Sequence, residues 1–295
     1  MDYGPYKSVS ELHYLITSSF PELKINGLEV ITEGWDNLVV KVNGDHIFRF
    51  PRAPDGKERL QREIRLLSKF NDFPVRVPKY CYTSRGSRFF AGYGLIPGER
   101  LDKAQELKPQ LLNDMVRVLH KLKTFNAERL KDVGLPVYTS DNWIDRQRKV
   151  VGNFEAALFP YAEKNQFREI RNLLESALHS IPESSFNLVH ADMFRGNVII
   201  NSSLERIVGI IDWEDAFVGD MALDIAALGL DFGPEGTEIL LDAMDLDIDD
   251  PGLEDRVKFY QKIEFLYLAD HLVKTGEIEQ ASKLLKSRLK ILDKV

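Results

Sequence analysis

His190-Ala191-Asp192-Met193-Phe194-Arg195-Gly196-Asn197, followed after a short hairpin by Ile210-Ile211-Asp212-Trp213, is the stretch that decides the fold. Asp192 can accept a hydroxyl proton, Asn197 stands five residues later, and Asp212 ends the next strand-like run. These are the roles and spacing of a kinase catalytic loop and its metal ligands. Phosphoryl transfer gives a protein little covalent work, so one group must orient the nucleophile while hard oxygen donors hold magnesium against the phosphates. Taken singly, Asp192 and Asn197 read equally well as turn residues and Asp212 as a helix cap. The ordered set points to chemistry.

Upstream, Ser8 and Glu11 form a capping-box pattern that opens a short helix bounded by Pro21. Strand-like runs follow over 25–32, 38–42 and 46–50, the last two joined by Asn43-Gly44, the strongest short hairpin signal. An antiparallel sheet therefore starts the chain. Period-2 alternation puts Ile47 and Arg49 on one face of the third run, with Phe48 and Phe50 on the other. Leu60, Ile64 and Leu67 fall at helical spacing, predicting a helix over 57–70 that leans on the sheet with Glu63 beside its apolar stripe. Further strands are expected over 79–83 and 88–95, after which Ile96-Pro97-Gly98 breaks the pattern. The break divides the chain into a nucleotide-binding lobe, 1–97, and a catalytic and substrate-binding lobe, 98–295. Helices are expected near 107–124, 141–163 and 165–180, then short strands over 198–200 and 207–211, then helices to the end.

With 295 residues, 44% hydrophobic and 29% charged, the chain is long enough and apolar enough to bury a substantial core. A net charge of −7 argues against nucleic acid, whose partners carry a positive field, and favours a cationic partner. Cys81 is the only cysteine, which excludes an internal disulfide and fits a reducing compartment. No basic stretch leads into an apolar segment at the start, and no apolar run approaches the length of a membrane span. The expected location is cytoplasmic, without membrane association.

On these residues the sequence resembles the aminoglycoside phosphotransferase family over nearly its whole length. It is most similar to the 2″-phosphotransferases, through Glu33-Gly34-Trp35-Asp36-Asn37, Phe48-Arg49-Phe50-Pro51-Arg52 and Phe90-Ala91-Gly92-Tyr93. The resemblance implies an α+β, bilobal protein-kinase-like fold, with an N-terminal antiparallel sheet lobe and a mainly helical C-terminal lobe. It implies a small-molecule kinase moving the γ-phosphoryl group of ATP or GTP, with Mg2+, to an aminoglycoside hydroxyl, the 2″-OH being one candidate. Asp192 would be the catalytic base, His190 the brace of its loop, and Asn197 and Asp212 the magnesium ligands. Gly34, Trp35, Asp36 and Asn37 would form the turn over the triphosphate, with Ile47 and Arg49 on the nucleotide side of the third strand. Glu63 would orient the strand cation, and Tyr93, Gly94, Leu95 and Ile96 would be the hinge that meets the base. Asp220 and Asp224 also match family positions, Asp220 as a helix cap.

Two departures stand out. The family has Lys where this chain has Arg49, which keeps the charge the nucleotide phosphates require and would grip them, oriented by Glu63, but is longer, planar and not interchangeable at a fitted site. The turn over 33–37 also lacks the three-glycine pattern of protein kinases.

Trp213-Glu214 follows Asp212, and only a few residues precede a helix expected near Met221, which leaves no room for an activation loop and speaks against a protein substrate. From Asp231 to Asp255 there are ten acidic residues and no Lys or Arg. Such a run would draw a polyamine sugar, and reads equally as a solvated acidic face. Asp231, Glu235 and Glu238 are its candidate substrate contacts, joined by Glu264 and Tyr267 in the following helix. Asp245, Asp247 and Asp249 fit the start of a calcium loop, but Asp250 replaces its required Gly and Arg256 its final Glu. A kinase of another small alcohol, such as a macrolide, choline or a sugar, would use the same catalytic residues. Arg49 suggests a second alternative, a nucleotide-binding regulator that has lost catalysis. The intact Asp192, Asn197 and Asp212 count against it. Tyr93, at the back of the base pocket, either favours guanine or packs as an ordinary hinge residue.

Overall fold

The computed structural model describes residues 6, 8–31, 37–86, 88–104, 108–161, 164–179, 181–182, 185–245 and 250–292. The chain forms two compact units, one of Met1–Asp114, Leu130–Leu135 and Gly196–Ala216, the other of Met115–Arg129, Pro136–Arg195 and Phe217–Val295.

The first unit begins with α1 (Val9–Ser19), whose N-cap Ser8 accepts from the Glu11 backbone N–H, as the capping pattern predicts. Then come β1 (Leu28–Ile31), β2 (Asn37–Val42), β3 (His46–Pro51), α2 (Gly56–Leu67), β4 (Tyr80–Thr83) and β5 (Ala91–Gly94). They build a five-stranded antiparallel sheet in the order β1-β2-β3-β5-β4. Asn43 and Gly44, with positive φ of 55° and 81°, are the central residues of a turn closed by the Asp45 N–H on Val42 O at 3.2 Å, and with Asp45 they make the three-residue connection from β2 to β3. Phe48 and Phe50 go to one face, where they pack with Leu12 and Ile16 of α1, Leu38, Val40 and Phe90. On the other, Leu60 of α2 packs with Phe89 and Ala91. Strand β3 is thus covered on both sides, and its central Arg49 is only 5% exposed.

The same unit holds a three-stranded sheet, β6 (Glu99–Arg100), β8 (Val198–Ile200) and β9 (Ile207–Ile210). The segment containing Asp212 therefore packs with the N-terminal residues, a grouping by contact that differs from a functional division at residue 97.

The second unit is mainly helical. Helix α3 (Pro109–Lys123) divides between the units, and α4 (Ala127–Leu130) follows it. Then α5 (Ser140–Leu158), α6 (Lys164–Ala177), β7 (Phe186–Val189), β10 (Phe217–Asp220), α7 (Ala222–Asp245), α8 (Leu253–Ile263), α9 (Phe265–Lys274) and α10 (Ile278–Leu292) surround buried Trp143, Phe167, Ile225 and Phe259. Gly233, at φ 78°, and Pro234 break α7. Strands β7 and β10 pair antiparallel, Phe217 opposite Val189. Neither was expected, nor was β6. All four residues of both β7 and β10 are buried, so they lack the alternation that marks a strand. The strand expected over 88–95 shortens to β5 because Ser84 closes the loop before it, its hydroxyl accepting from the Phe90 N–H.

Candidate active site

In the first unit, the alternation of β3 delivers Arg49 to the face where α2 presents Glu63. Arg49 Nη1 donates to both Glu63 oxygens at 3.1 and 2.9 Å, and Nη2 donates to Asp212 Oδ1 at 2.7 Å. A third carboxylate closes the group, Glu214 Oε1 lying 3.1 Å from Nη2. Burial pushes Glu63 up to about 8, against the pull of Arg49 and reinforced by Glu214 and Asp212. Glu214 is raised for the same first reason. Burial opposes the charge on Arg49, but Asp212 and Glu63 outweigh it and hold the guanidinium well above its usual range. Three carboxylates around one cation leave an excess of negative charge, and the excess belongs where a metal or a proton can meet it.

Asp212 is the member that meets solvent. Its side chain is 44% exposed, whereas those of Glu63 and Glu214 are 0% and 2% exposed. It sits at φ 67°, a conformation that costs a non-glycine residue about 1–3 kcal/mol and tends to persist where function demands it. Asn197 closes a short turn, Arg195–Asn197, and its carbonyl accepts from the Ile211 N–H at 3.0 Å. The β8–β9 hairpin thereby brings the backbones bearing Asn197 and Asp212 together. A carboxylate and an amide carbonyl are the hard oxygen donors magnesium takes when phosphates and water complete its shell. Among the described residues no group of three or more His, Cys, Asp or Glu could cage a metal by itself. The donor set fits a magnesium held jointly with a phosphate ligand.

Gly34, Trp35 and Asp36, and Glu33 before them, lie outside the described residues. Asn37 opens β2, where its Nδ2 donates to Glu214 Oε1 at 2.9 Å while its buried Oδ1 has no partner among the described residues. Ile47 pairs with Tyr93 across β3 and β5, and both are buried. Tyr93 meets the Tyr80 ring edge-on at 5.1 Å, and burial raises its hydroxyl pKa. Gly94 and Leu95 are exposed, Leu95 N–H bonding Asp45 O at 2.7 Å, and Ile96 is buried against Gly209.

In the second unit, His190 is fully buried just past β7. The Asp192 N–H donates to His190 Nδ1 at 3.2 Å, which makes Nδ1 an acceptor and puts the proton of the neutral ring on Nε2. Asp224, in the first turn of α7, fastens the loop from below. Its two oxygens accept from the His190 and Ala191 N–H groups at 2.7 and 2.9 Å. Ala191 lies at φ 70°, so this clamp holds a strained residue immediately before Asp192. Burial drives Asp224 up to about 7, moderated by the two N–H groups and reinforced by Asp192.

The expected substrate residues fall into two groups. Asp231, Glu264 and Tyr267 interact. Glu264 is raised by burial, with Arg288 opposing and Asp231 adding to it, and Tyr267 is likewise raised by burial, with Arg146 opposing and Glu264 adding to it. Glu235 and Glu238 are exposed on α7 beyond the Gly233 break. Asp231 also accepts from the Arg195 N–H at 2.7 Å, a tie to the stretch from His190 to Asn197 that composition does not disclose. At the far end of the acidic run Asp250 is interior. Arg256, fully buried, donates to Asp220 at 2.9 Å and to Asp250 at 2.9 Å, while Asp220 Oδ1 accepts from Ala222 as the expected cap. Asp247 and Asp249 lie outside the described residues.

The sequence pattern described as "Phosphotransferase enzyme family" (APH) matches residues 27–260. Viomycin phosphotransferase of Streptomyces vinaceus is 26% identical over 147 residues, covering 48% of this chain and 49% of that protein. The match thus spans about half the length of that curated relative. The GDP and kanamycin complex of APH(2″)-IIIa has a TM-score of 0.79 at 24% identity, covering 96% of this chain and 98% of that one. The macrolide 2′-phosphotransferase MphH of Brachybacterium faecium has a TM-score of 0.72 at 22% identity, covering 92% and 97%. These structural likenesses give the chain the α+β, protein-kinase-like fold of those enzymes. With the family pattern matched over most of its length, the chain belongs to the phosphotransferase enzyme family.

Proposed function

We propose that this chain is a small-molecule kinase that transfers the γ-phosphoryl group of ATP or GTP, with Mg2+, to a hydroxyl of an aminoglycoside, the 2″-OH being the position to test first. The observation that carries the reading is the pairing of hard oxygen donors, Asp212 reaching solvent from a buried Arg49–Glu63–Glu214 group beside the backbone of Asn197. Asp192 accepts the proton of the acceptor hydroxyl, and His190 and Asp224 keep its loop in the attacking conformation. Asn197 and Asp212 hold the magnesium, which neutralises charge on the phosphates when bound. Residues 1–97 form the nucleotide lobe, with Gly34, Trp35, Asp36 and Asn37 over the triphosphate and Tyr93, Gly94, Leu95 and Ile96 against the base. The rest of the chain holds the acceptor, drawing a cationic sugar to Asp231, Glu235, Glu238, Glu264 and Tyr267. Among the described residues no helix is long and apolar enough to cross a membrane, and action in the cytoplasm fits the single cysteine.

A second reading, a kinase of another small alcohol, is favoured by similarity to viomycin and macrolide phosphotransferases. The deciding experiment is a screen of aminoglycosides, macrolides, viomycin and simple amino alcohols with ATP and GTP, read by mass spectrometry. A phosphorylated aminoglycoside is expected. Phosphorylation of a macrolide or viomycin alone would transfer the assignment to the second reading. Nucleotide binding without turnover on any acceptor would overturn both and point to a regulator.

A further inference from the structure

Glu214 follows Asp212 by two residues, yet the two carboxylates behave differently, since the Glu214 side chain is 2% exposed where that of Asp212 is 44% exposed. Glu214 Oε1 accepts from Asn37 Nδ2 at 2.9 Å and lies 3.1 Å from Arg49 Nη2. Both terminal nitrogens of Arg49 are thereby engaged by carboxylates, Nη1 with Glu63 and Nη2 with Asp212 and Glu214. A guanidinium is a rigid planar fork, so fixing one prong fixes the direction of the other. A lysine ammonium is a point charge on a flexible stem and transmits no such direction.

We infer that Glu214 is a positioning residue: it anchors Arg49 so that the guanidinium aims the Asp212 carboxylate at the metal, and through Asn37 it ties the start of β2 to the same point. The inference rests on the assignment of Asp212 to magnesium made above. It gives Arg49 a different task from a phosphate ligand. Its terminal donors are spent on carboxylates, and the triphosphate is gripped through the metal that Asp212 and Asn197 hold. This accounts for an arginine in a place where the resembling family has lysine, because a brace among three carboxylates needs a fork.

The test is Glu214→Gln, which keeps the volume and a carbonyl for Asn37 but removes the charge facing Arg49. Calorimetry would compare a non-hydrolysable triphosphate with magnesium and with chelator, alongside melting of the unliganded protein and turnover across a magnesium titration. Loss of an outer partner of a metal ligand weakens metal-dependent binding by roughly 10–100-fold. We expect a loss of that size with magnesium and about none with chelator, with turnover restored at saturating magnesium. An equal loss with and without metal, following the melting temperature, would make Glu214 a merely structural residue and overturn the inference, as would no loss at all. Arg49→Lys, which keeps the charge and drops the fork, must reproduce the metal-selective loss even if Glu214→Gln fails to fold. Unchanged magnesium-dependent binding in Arg49→Lys would also overturn the inference. Failure of the underlying functional reading looks different: the wild-type chain itself would show no magnesium-enhanced triphosphate binding, and the role of Glu214 would fall with it.

Discussion

Replacing Asp224 by Asn separates two contributions that the wild-type carboxylate combines. Its oxygens hold the His190 and Ala191 N–H groups at 2.7 and 2.9 Å, and burial raises its pKa to about 7. In the unfolded chain it returns to the ordinary aspartate range near 4. Between those values the folded protein keeps a proton that the unfolded chain has released, so this group favours folding most at low pH and loses that contribution as pH rises toward 7. The loss is about 1.4 kcal/mol per pH unit, hence on the order of 3 kcal/mol between pH 5 and pH 8. Asp224→Asn has no such titration. It keeps one acceptor for one N–H and turns an amide donor toward the other, leaving that buried N–H unsatisfied at a cost of about 1–3 kcal/mol. Urea denaturation at pH 5 and pH 8 should therefore show wild type losing on the order of 3 kcal/mol more than the variant over that interval. Turnover of the variant should fall roughly 10–100-fold, the rate equivalent of the lost bond, because Ala191 is no longer held at its strained φ before Asp192. Equal pH dependence in the two proteins would show that Asp224 carries no proton in this range, and unchanged turnover would show that its clamp does not serve the loop.

Asp192→Asn should lower turnover by roughly 10²–10⁴-fold with nucleotide affinity unchanged, whereas Asp212→Asn should weaken magnesium-dependent nucleotide binding as well; calorimetry with and without magnesium distinguishes them, and the reverse pattern would exchange the two roles. Arg256→Leu leaves Asp220 and Asp250 buried and uncompensated, so unfolding in urea should show a loss of about 3–5 kcal/mol, and a wild-type midpoint would mean the pair is not held by Arg256. Glu235→Gln with Glu238→Gln should raise the KM of an accepted aminoglycoside at low salt, with the effect fading as salt is added, and an unchanged KM would remove these two exposed carboxylates from substrate attraction. Asp231→Asn should lower kcat as well, because its carboxylate also holds the Arg195 N–H, and a pure KM effect would deny that tie.

What the sequence made legible was what its local periods determine. The Asn43-Gly44 turn fixes the β2–β3 register, that register fixes the face of Arg49, and the helical spacing of Leu60 and Ile64 brings Glu63 to the same face; each step needs only neighbours in the chain. Strands β7 and β10 escaped because their partners are distant in sequence and both are buried throughout, so neither neighbour nor alternation betrays them. Glu214 escaped for a related reason. Beside Asp212 it reads as one more solvated acid, and its partner Asn37 is 177 residues away. The acidic run is the opposite case, since counting charge from Asp231 to Asp255 treats as one field what the fold divides. Asp250 is spent on buried Arg256, Asp231 on the Arg195 N–H, and Glu235 and Glu238 remain in solvent. Composition counts carboxylates, but their chemistry depends on which donors reach them and how much of each stays in solvent: Glu63 and Glu214 are buried on Arg49, whereas Asp212 shares the same guanidinium with its side chain 44% exposed, so it alone of the three also faces a cation from outside.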